Sequence, residues 1–230
     1  MFGLTEIELN ALRLSFKVTI WGMIFTFPIA LFTAWLLSRK EFIGKSFLNA
    51  FVHIPLVVPP VVIGYFLILL LGREGYLGRL LYEFFGLTLI FTWQGAAIAA
   101  SIVSFPLFVR PIRQAFEMID PALEEAASSL GANQKQKFIY LILPIIMPGI
   151  ITGAILFIAR ALGEFGATIT FASNIIGLTQ TLPLAIYQAT ITPDGDKIAI
   201  RLIIISLTLA FSSLLLSEYL SKKYYSKIKD

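Results

Sequence analysis

Few residues in this sequence are of a kind that does covalent or metal chemistry. There is one histidine, His53, and no cysteine. Thiol nucleophiles, disulfides and thiolate metal sites are thereby excluded. A lone imidazole makes no metal site, and inside an apolar run His53 reads as a hydrogen-bonded packing residue, with a proton relay as the other reading. Gly44-Lys45-Ser46 reproduces the end of a phosphate-cradling G-x-x-x-x-G-K-[ST] loop. The first glycine of that loop would have to stand at Arg39, and no strand precedes it, so the match is accidental. No cluster of nucleophile, base or metal ligands appears, and the chain is expected to carry no catalytic residue, no metal and no cofactor of its own.

What remains is chemistry of contact. The stretch EEAASSLGANQKQKFIYLILP, Glu124 to Pro144, is a polar, capped helix signal between two apolar runs. Asp120-Pro121 supplies a capping carboxylate and a proline at the first helical position. Glu124 and Glu125 suit the positive end of the helix dipole, and Gly131 offers the stop. A helix of about ten residues, Ala122 to Gly131, is too short to stand alone in water, so another surface must hold it. Its small side chains, Ala126, Ala127, Ser128 and Ser129, allow close approach. One candidate is a lipid surface, which would want large apolar residues on one face and basic ones on the other. Only Leu123 and Leu130 are large and apolar, and the early charges are acidic, so a protein partner fits better.

A second set of polar residues lies within or beside apolar runs. Ser101, Ser104, Thr152, Thr168, Thr170, Ser173 and Asn174 are donors that can stand in for water around an anion, or bond their own helix backbone. Arg160 and Glu164 are spaced i,i+4, which predicts an ion pair that orients the chain or forms part of a gate.

The elements that must position these residues are membrane spans. The chain is 57% hydrophobic and 14% charged, with a mean hydropathy of +0.84, against about 25% charged residues in soluble domains. Crossing roughly 30 Å of hydrocarbon takes about 20 apolar residues. Five stretches qualify: Ser15–Leu37, Phe47–Leu71, Thr92–Val109, Phe138–Ile158 and Ile198–Leu216. The expectation is therefore an all-α membrane protein of about five spans, one domain over residues 1–230. Tyr76–Ile90 and Phe165–Ala189, interrupted by Gly, Pro or polar residues, read as interfacial or re-entrant. Pro55, Pro59 and Pro60 break the second span, and Pro144, Pro148, Gly149 and Gly153 loosen the fourth, as static kinks or as hinges. The opening MFGLTEIELNALR lacks the pattern of a cleaved leader and is expected to be retained.

With five spans the connecting segments alternate between two sides. One side receives eleven basic residues: Arg39, Lys40, Lys45, Arg110, Arg113, Lys135, Lys137, Lys222, Lys223, Lys227 and Lys229. The other receives seven: Arg13, Lys17, Arg73, Arg79, Arg160, Lys197 and Arg201. The richer side is cytoplasmic by the positive-inside tendency, which puts the N-terminus outside, the C-terminus inside and the polar helix in the cytoplasm. The basic residues sit at the ends of apolar runs rather than in one cluster, which argues against nucleic acid as a partner.

Glu125-Ala126-Ala127, Gly131, Leu141 and Leu143-Pro144 resemble the EAA signature of importer-type ABC permeases; Leu141 stands where that family often has isoleucine. Glu124, one residue before the motif, belongs to the same segment. The runs His53–Gly86 and Ala161–Pro183 are similar to the molybdate permeases of that class, while Gly163-Glu164-Phe165-Gly166 is shared with sulfate permeases. The resemblance implies a type I importer permease fold over about residues 11–220, in the cytoplasmic (inner) membrane. It also implies a coupling helix seated in a cleft of a separate ATPase. A homodimer, two ATPase subunits holding ATP-Mg and an external molybdate-binding protein would complete the assembly. Other oxyanions, sulfate or tungstate, are the alternative cargo. An ATP-independent channel or secondary transporter is the alternative class; the halves show no repeat and only His53 is a candidate for buried titration.

Overall fold

The computed structural model describes residues 4–229; beyond Leu215 only the side chain of Tyr219 is described. The basic tail Lys222–Lys229, counted above toward the richer side, thus lies outside the described side chains. Every described element is helical. α1 runs from Glu6 to Arg39. It starts on a reciprocal cap: Glu8 N donates to Thr5 Oγ1 at 3.3 Å, and Thr5 N donates to the Glu8 carboxylate at 2.6 Å,. α5 (Trp93–Glu117) begins at Thr92, whose hydroxyl accepts from Gly95 N at 3.1 Å. α8 (Leu143–Leu162) and α11 (Asp196–Lys229) complete the long helices. Among the described residues, four helices are long and apolar enough to cross a membrane.

The second expected span is where the structure departs from the simple pattern. α2 (Lys45–His53) leads through one 3-10 turn at Ile54–Leu56 into α3 (Pro60–Leu71). The two halves are bent by 111°, so Phe47–Leu71 counts as a fifth crossing only if the bent pair is one span. Pro55, Pro59 and Pro60 each lack an N–H, and each ring disfavours helical continuation. The break therefore falls where the prolines stand. The third helix also differs: the sequence expectation ended at Val109, because Arg110 follows, yet α5 continues to Glu117.

The fourth span departs in the opposite sense. Pro148, Gly149 and Gly153 were expected to loosen it, but α8 is unbroken from Leu143 to Leu162 and all three are buried. The glycines are sites of close helix contact. A Cβ on Gly149 would lie 2.6 Å from Pro111 O and 2.6 Å from Ala115 Cβ, and one on Gly153 would lie 2.8 Å from Phe108 O. Small residues at a crossing let α5 and α8 approach backbone to backbone. The irregular turn sits earlier, as a π-helical segment at Lys137–Ile142, just before Pro144. The missing N–H and bulky ring of Pro144 disturb the preceding turn. Gly149→Val should force the crossing apart, at a cost of about 1–3 kcal/mol. A lowered unfolding midpoint of the detergent-solubilised protein would register it, and an unchanged midpoint would refute the close contact.

α5 is the central element, packed against α1 and α8 around Phe108, Phe116, Ile112, Ile146, Phe157 and Leu37. A second core joins Ile63 and Leu67 of α3 to Ala99 and Val103 of α5 and to Ala167 and Phe171 of α9 (Gly166–Phe171). Short helices α4 (Tyr76–Phe85) and α10 (Leu182–Ile191) lie in the segments that the sequence marked as interfacial or re-entrant. The outward faces carry large exposed apolar residues, such as Phe25, Phe32, Phe66, Leu207 and Phe211. That is the surface of a helix bundle whose solvent is lipid.

Polar cross-links sort the helix termini into two ends. At one end Arg201 Nε donates to Glu8 Oε1 at 2.8 Å, Leu182 N donates to Ser15 Oγ at 2.7 Å, and Lys17 lies over the Trp93 ring at 3.8 Å. At the other, Arg39 meets Glu124 at 2.6 Å and Arg113 Nη1 donates to Asn49 Oδ1 at 2.7 Å. The starts of α1, α5 and α11 therefore share one end. The end of α1, the start of α2 and the end of α5 share the other.

Candidate functional site

At the second end lies α6 (Pro121–Ser129), with α7 (Gln134–Gln136) opening the next span. Asp120 Oδ1 accepts from Ala122 N at 2.9 Å and Pro121 stands at the first turn. Gly131, at φ +83°, reverses the chain in a left-handed conformation that favours glycine,. α6 is thus a capped element that ends two residues before the Gly131 limit read from the sequence. None of its residues is buried.

Two polar links hold α6 to the bundle. Arg39, the last residue of α1, forms an ion pair with Glu124 at 2.6 Å, both side chains about a quarter exposed. Lys137 Nζ donates to Ser128 Oγ at 3.1 Å, and that hydroxyl donates to Glu124 O at 2.6 Å. The two adjacent acids therefore differ. Glu124 is tied inward to α1, whereas Glu125 is exposed. Ala126 is exposed and Ala127 half-buried. Beside them Ala127, Leu130, Gly131, Lys137, Tyr140 and Leu141 border a shallow cavity of about 340 Å³. Leu130 is 88% exposed and Tyr140 78%, so apolar surface is presented at an end of the bundle where a charged helix marks the boundary of the lipid. Leu143 is half-buried and Pro144 exposed at the start of α8. They sit above the π-helical turn rather than on the α6 surface.

The polar residues within the spans do not gather in one place. Ser101 Oγ lies 2.6 Å from where a Cβ on Gly22 would be, in the α1–α5 contact. Ser104 is fully buried. Both belong to packing inside the single chain. Thr152 is half-buried beside a cavity between α5 and α8, toward the end of the bundle that bears α6. Thr170 donates to Gly166 O at 2.8 Å, the local backbone bond open to any helical hydroxyl,. Thr168 is buried in α9. Ser173, at φ +64°, uses its carbonyl to accept from Thr179 Oγ1 at 3.0 Å, and Asn174 Nδ2 donates to Gln188 at 3.2 Å. These last residues build a loop.

The expected Arg160–Glu164 pair forms, at 2.7 Å. Glu164 is buried, and its other oxygen accepts from Ala167 N at 2.8 Å. The carboxylate thus joins the end of α8 to the start of α9. His53 Nδ1 lies 2.7 Å from Asn49 O; a carbonyl only accepts, so the ring donates, as a packing histidine does. Sequence reasoning passed over Glu8, which is 2% exposed and paired with Arg201 across 193 residues. The only signal for it was an acid in the first turn of an apolar helix.

A bundle of apolar helices with a capped polar helix set out at one end is the build of a multi-span membrane protein,. Residues 10–225 match the family of binding-protein-dependent transport system inner membrane components, and the chain belongs to that family. It is 48% identical over 221 residues to a molybdenum transport system permease protein, ModB, of Haemophilus influenzae, covering 96% of each chain. It is 51% identical over 219 residues to ModB of Escherichia coli K12, covering 95% of this chain and 96% of that one. A sulfate transport system permease protein, CysW, of Synechococcus elongatus is 41% identical over 180 residues, covering 78% of this chain and 63% of that one. Among solved structures, a bacterial ABC transporter that imports alginate superposes with a TM-score of 0.74 at 18% identity, covering 96% of this chain and 80% of that one. An inward-facing MetNI methionine ABC transporter gives 0.71 at 17% identity, covering 96% and 99%. The fold is that of type I ABC importer permeases.

Proposed function

We infer that this chain is the membrane-spanning subunit of a molybdate importer, working as a pair of copies with two cytoplasmic ATPase subunits and an external binding protein. The observation that carries the coupling role is α6: a capped helix with no buried residue, joined to the bundle by charges, with Glu125 and Leu130 facing away. A rigid element so placed needs a partner surface, and a nucleotide-driven partner gives it a task. Among the residues expected to make up the docking segment, Glu125, Ala126, Ala127 and Gly131 form the face offered to the ATPase. Glu124 holds α6 to α1, and Leu143-Pro144 set the start of α8. Molybdate as cargo rests on relatives identical at about half of their positions over nearly the whole chain. Sulfate is the second reading, favoured by the sulfate permease relative. The inner end of the bundle is the one bearing Arg39, Arg113 and Lys137, so the N-terminus lies outside and the C-terminus in the cytoplasm.

The test is reconstitution of the chain with its ATPase and binding protein in liposomes. Molybdate entry should require ATP and the ATPase, and a tenfold excess of sulfate should leave it unchanged. Entry without ATP would put a passive pore in place of the pump, and preferential entry of sulfate would reassign the cargo.

A further inference from the structure

Ala99, Val103, Pro106, Arg110, Gln114 and Glu117 recur at intervals of three and four along α5, so they share one face of that helix. The two halves of the face meet different surroundings. Toward the outer end, Ala99 and Val103 are buried under Ile63 and Leu67 of α3 and under Ala167 and Phe171 of α9. That cover is tight: a Cβ on Gly64 would come within 2.6 Å of Thr170 Cβ and 2.8 Å of Ala167 O. Toward the inner end, Arg110, Gln114 and Glu117 are exposed. The 111° bend before α3 explains the difference. It carries α3 across the outer half of the face, while the inner half lies open between α2 and α8.

Charge on the open half is unbalanced. Glu117 is neutralised by Arg113 at 2.7 Å, and Arg113 is anchored to Asn49 of α2. Arg110 makes no ion pair or hydrogen bond among the described residues. It stands seven residues before the end of α5, about 10 Å from it along the axis. An exposed guanidinium without a counter-charge faces water or a partner rather than lipid. Gln114 and Glu117 border a cavity of about 440 Å³, with Gly149 and Thr152 of α8 on the other side, and Arg110 lies one turn from Gln114 on the same face of α5,.

We propose that Gln114, with Thr152 across the cleft and Arg110 one turn away on the same face of α5, borders an inward-open aqueous vestibule that receives the oxyanion once it has passed the α3–α9 seal. Arg110 draws the anion electrostatically, and Gln114 offers a neutral donor that holds it loosely enough for release. The proposal rests on the transport reading above, and adds Arg110 and Gln114 to Thr152 of the polar set.

Because the chain has no cysteine, Gln114→Cys places a single thiol of this subunit in the cleft. In the reconstituted complex with the inner end facing the bath, that thiol should react faster with an anionic than with a cationic methanethiosulfonate. Adding Arg110→Gln should lower the preference about tenfold, since one unit charge acts oppositely on the two reagents at close range. Arg110→Lys should restore it, and molybdate should slow the anionic reagent. Arg110→Gln should also reduce ATP-driven molybdate entry about tenfold. A thiol at 114 that neither water-borne reagent reaches, or a preference that ignores Arg110, would overturn the proposal. So would a preference seen in zwitterionic liposomes and abolished by anionic lipid, because Arg110 would then be paired with headgroups. Protection by sulfate but not molybdate would keep the vestibule and overturn the cargo.

Discussion

Glu125→Lys should lower ATP-driven uptake roughly 30-fold or more, the loss expected when a charge at a protein interface is reversed, while the protein still folds and inserts. Glu125 is exposed at the middle of α6 and its carboxylate makes no ion pair or hydrogen bond among the described residues, so its substitution leaves the helix itself intact. Its neighbour provides the control. Glu124 is held by Arg39 at 2.6 Å, and exposed ion pairs are worth no more than about 1 kcal/mol. Glu124→Gln should therefore leave ATPase capture in place and weaken the link between α6 and α1. Its effect should be reproduced by Arg39→Gln and not add to it in the double variant. Capture of the ATPase by affinity pull-down, alongside uptake in liposomes, separates the two acids. Normal uptake by Glu125→Lys would remove α6 from the coupling role.

Glu164→Ala should destabilise the folded chain by about 3 kcal/mol. The carboxylate is buried and holds two groups at once, Arg160 at 2.7 Å and Ala167 N at 2.8 Å. Its removal leaves the N–H at the head of α9 without an acceptor and Arg160 without its counter-charge. The guanidinium is partly exposed and recovers some hydration, which keeps the loss below that of a wholly buried pair. Glu164→Gln retains an acceptor for Ala167 N and should cost less. Thermal unfolding of the three proteins in detergent orders them: native, glutamine, alanine. An alanine variant as stable as the native chain would show that the α8–α9 junction is set by apolar packing alone. Because α9 covers the Ala99–Val103 half of the α5 face, the alanine variant should also leak molybdate without ATP.

Both of these sites were legible along the chain. The α6 segment could be read residue by residue, because capping, dipole and stop signals act within one turn of the chain. Asp120, Pro121 and Gly131 behave in the structure as their chemistry requires. The Arg160–Glu164 pair was legible for the same reason, being one helical turn apart. Glu8–Arg201 was not, since no local pattern joins residues 193 positions apart. Nor were the roles of Gly149 and Gly153. A glycine in an apolar run marks either a loosened turn or a close helix contact, and only the neighbouring backbone distinguishes them. That the helix carrying the third apolar stretch runs on past Arg110 to Glu117 was not legible either, because a charge ends an apolar run without ending a helix.

Composition and local pattern were enough for the solvent, the number of long apolar segments, the prolines at which the second one breaks and the capped helix that departs from them. All of these follow from composition, short-range sterics and hydrogen bonding within a few residues. Long-range packing set the 111° turn between α2 and α3, the burial of Ala99 and Val103 and the exposure of Arg110 on the same face of α5. It also decided that Glu124 looks inward while Glu125 looks out. The physical reason is common to each: which side of a helix is covered depends on where distant segments pack, and a local pattern carries no record of that.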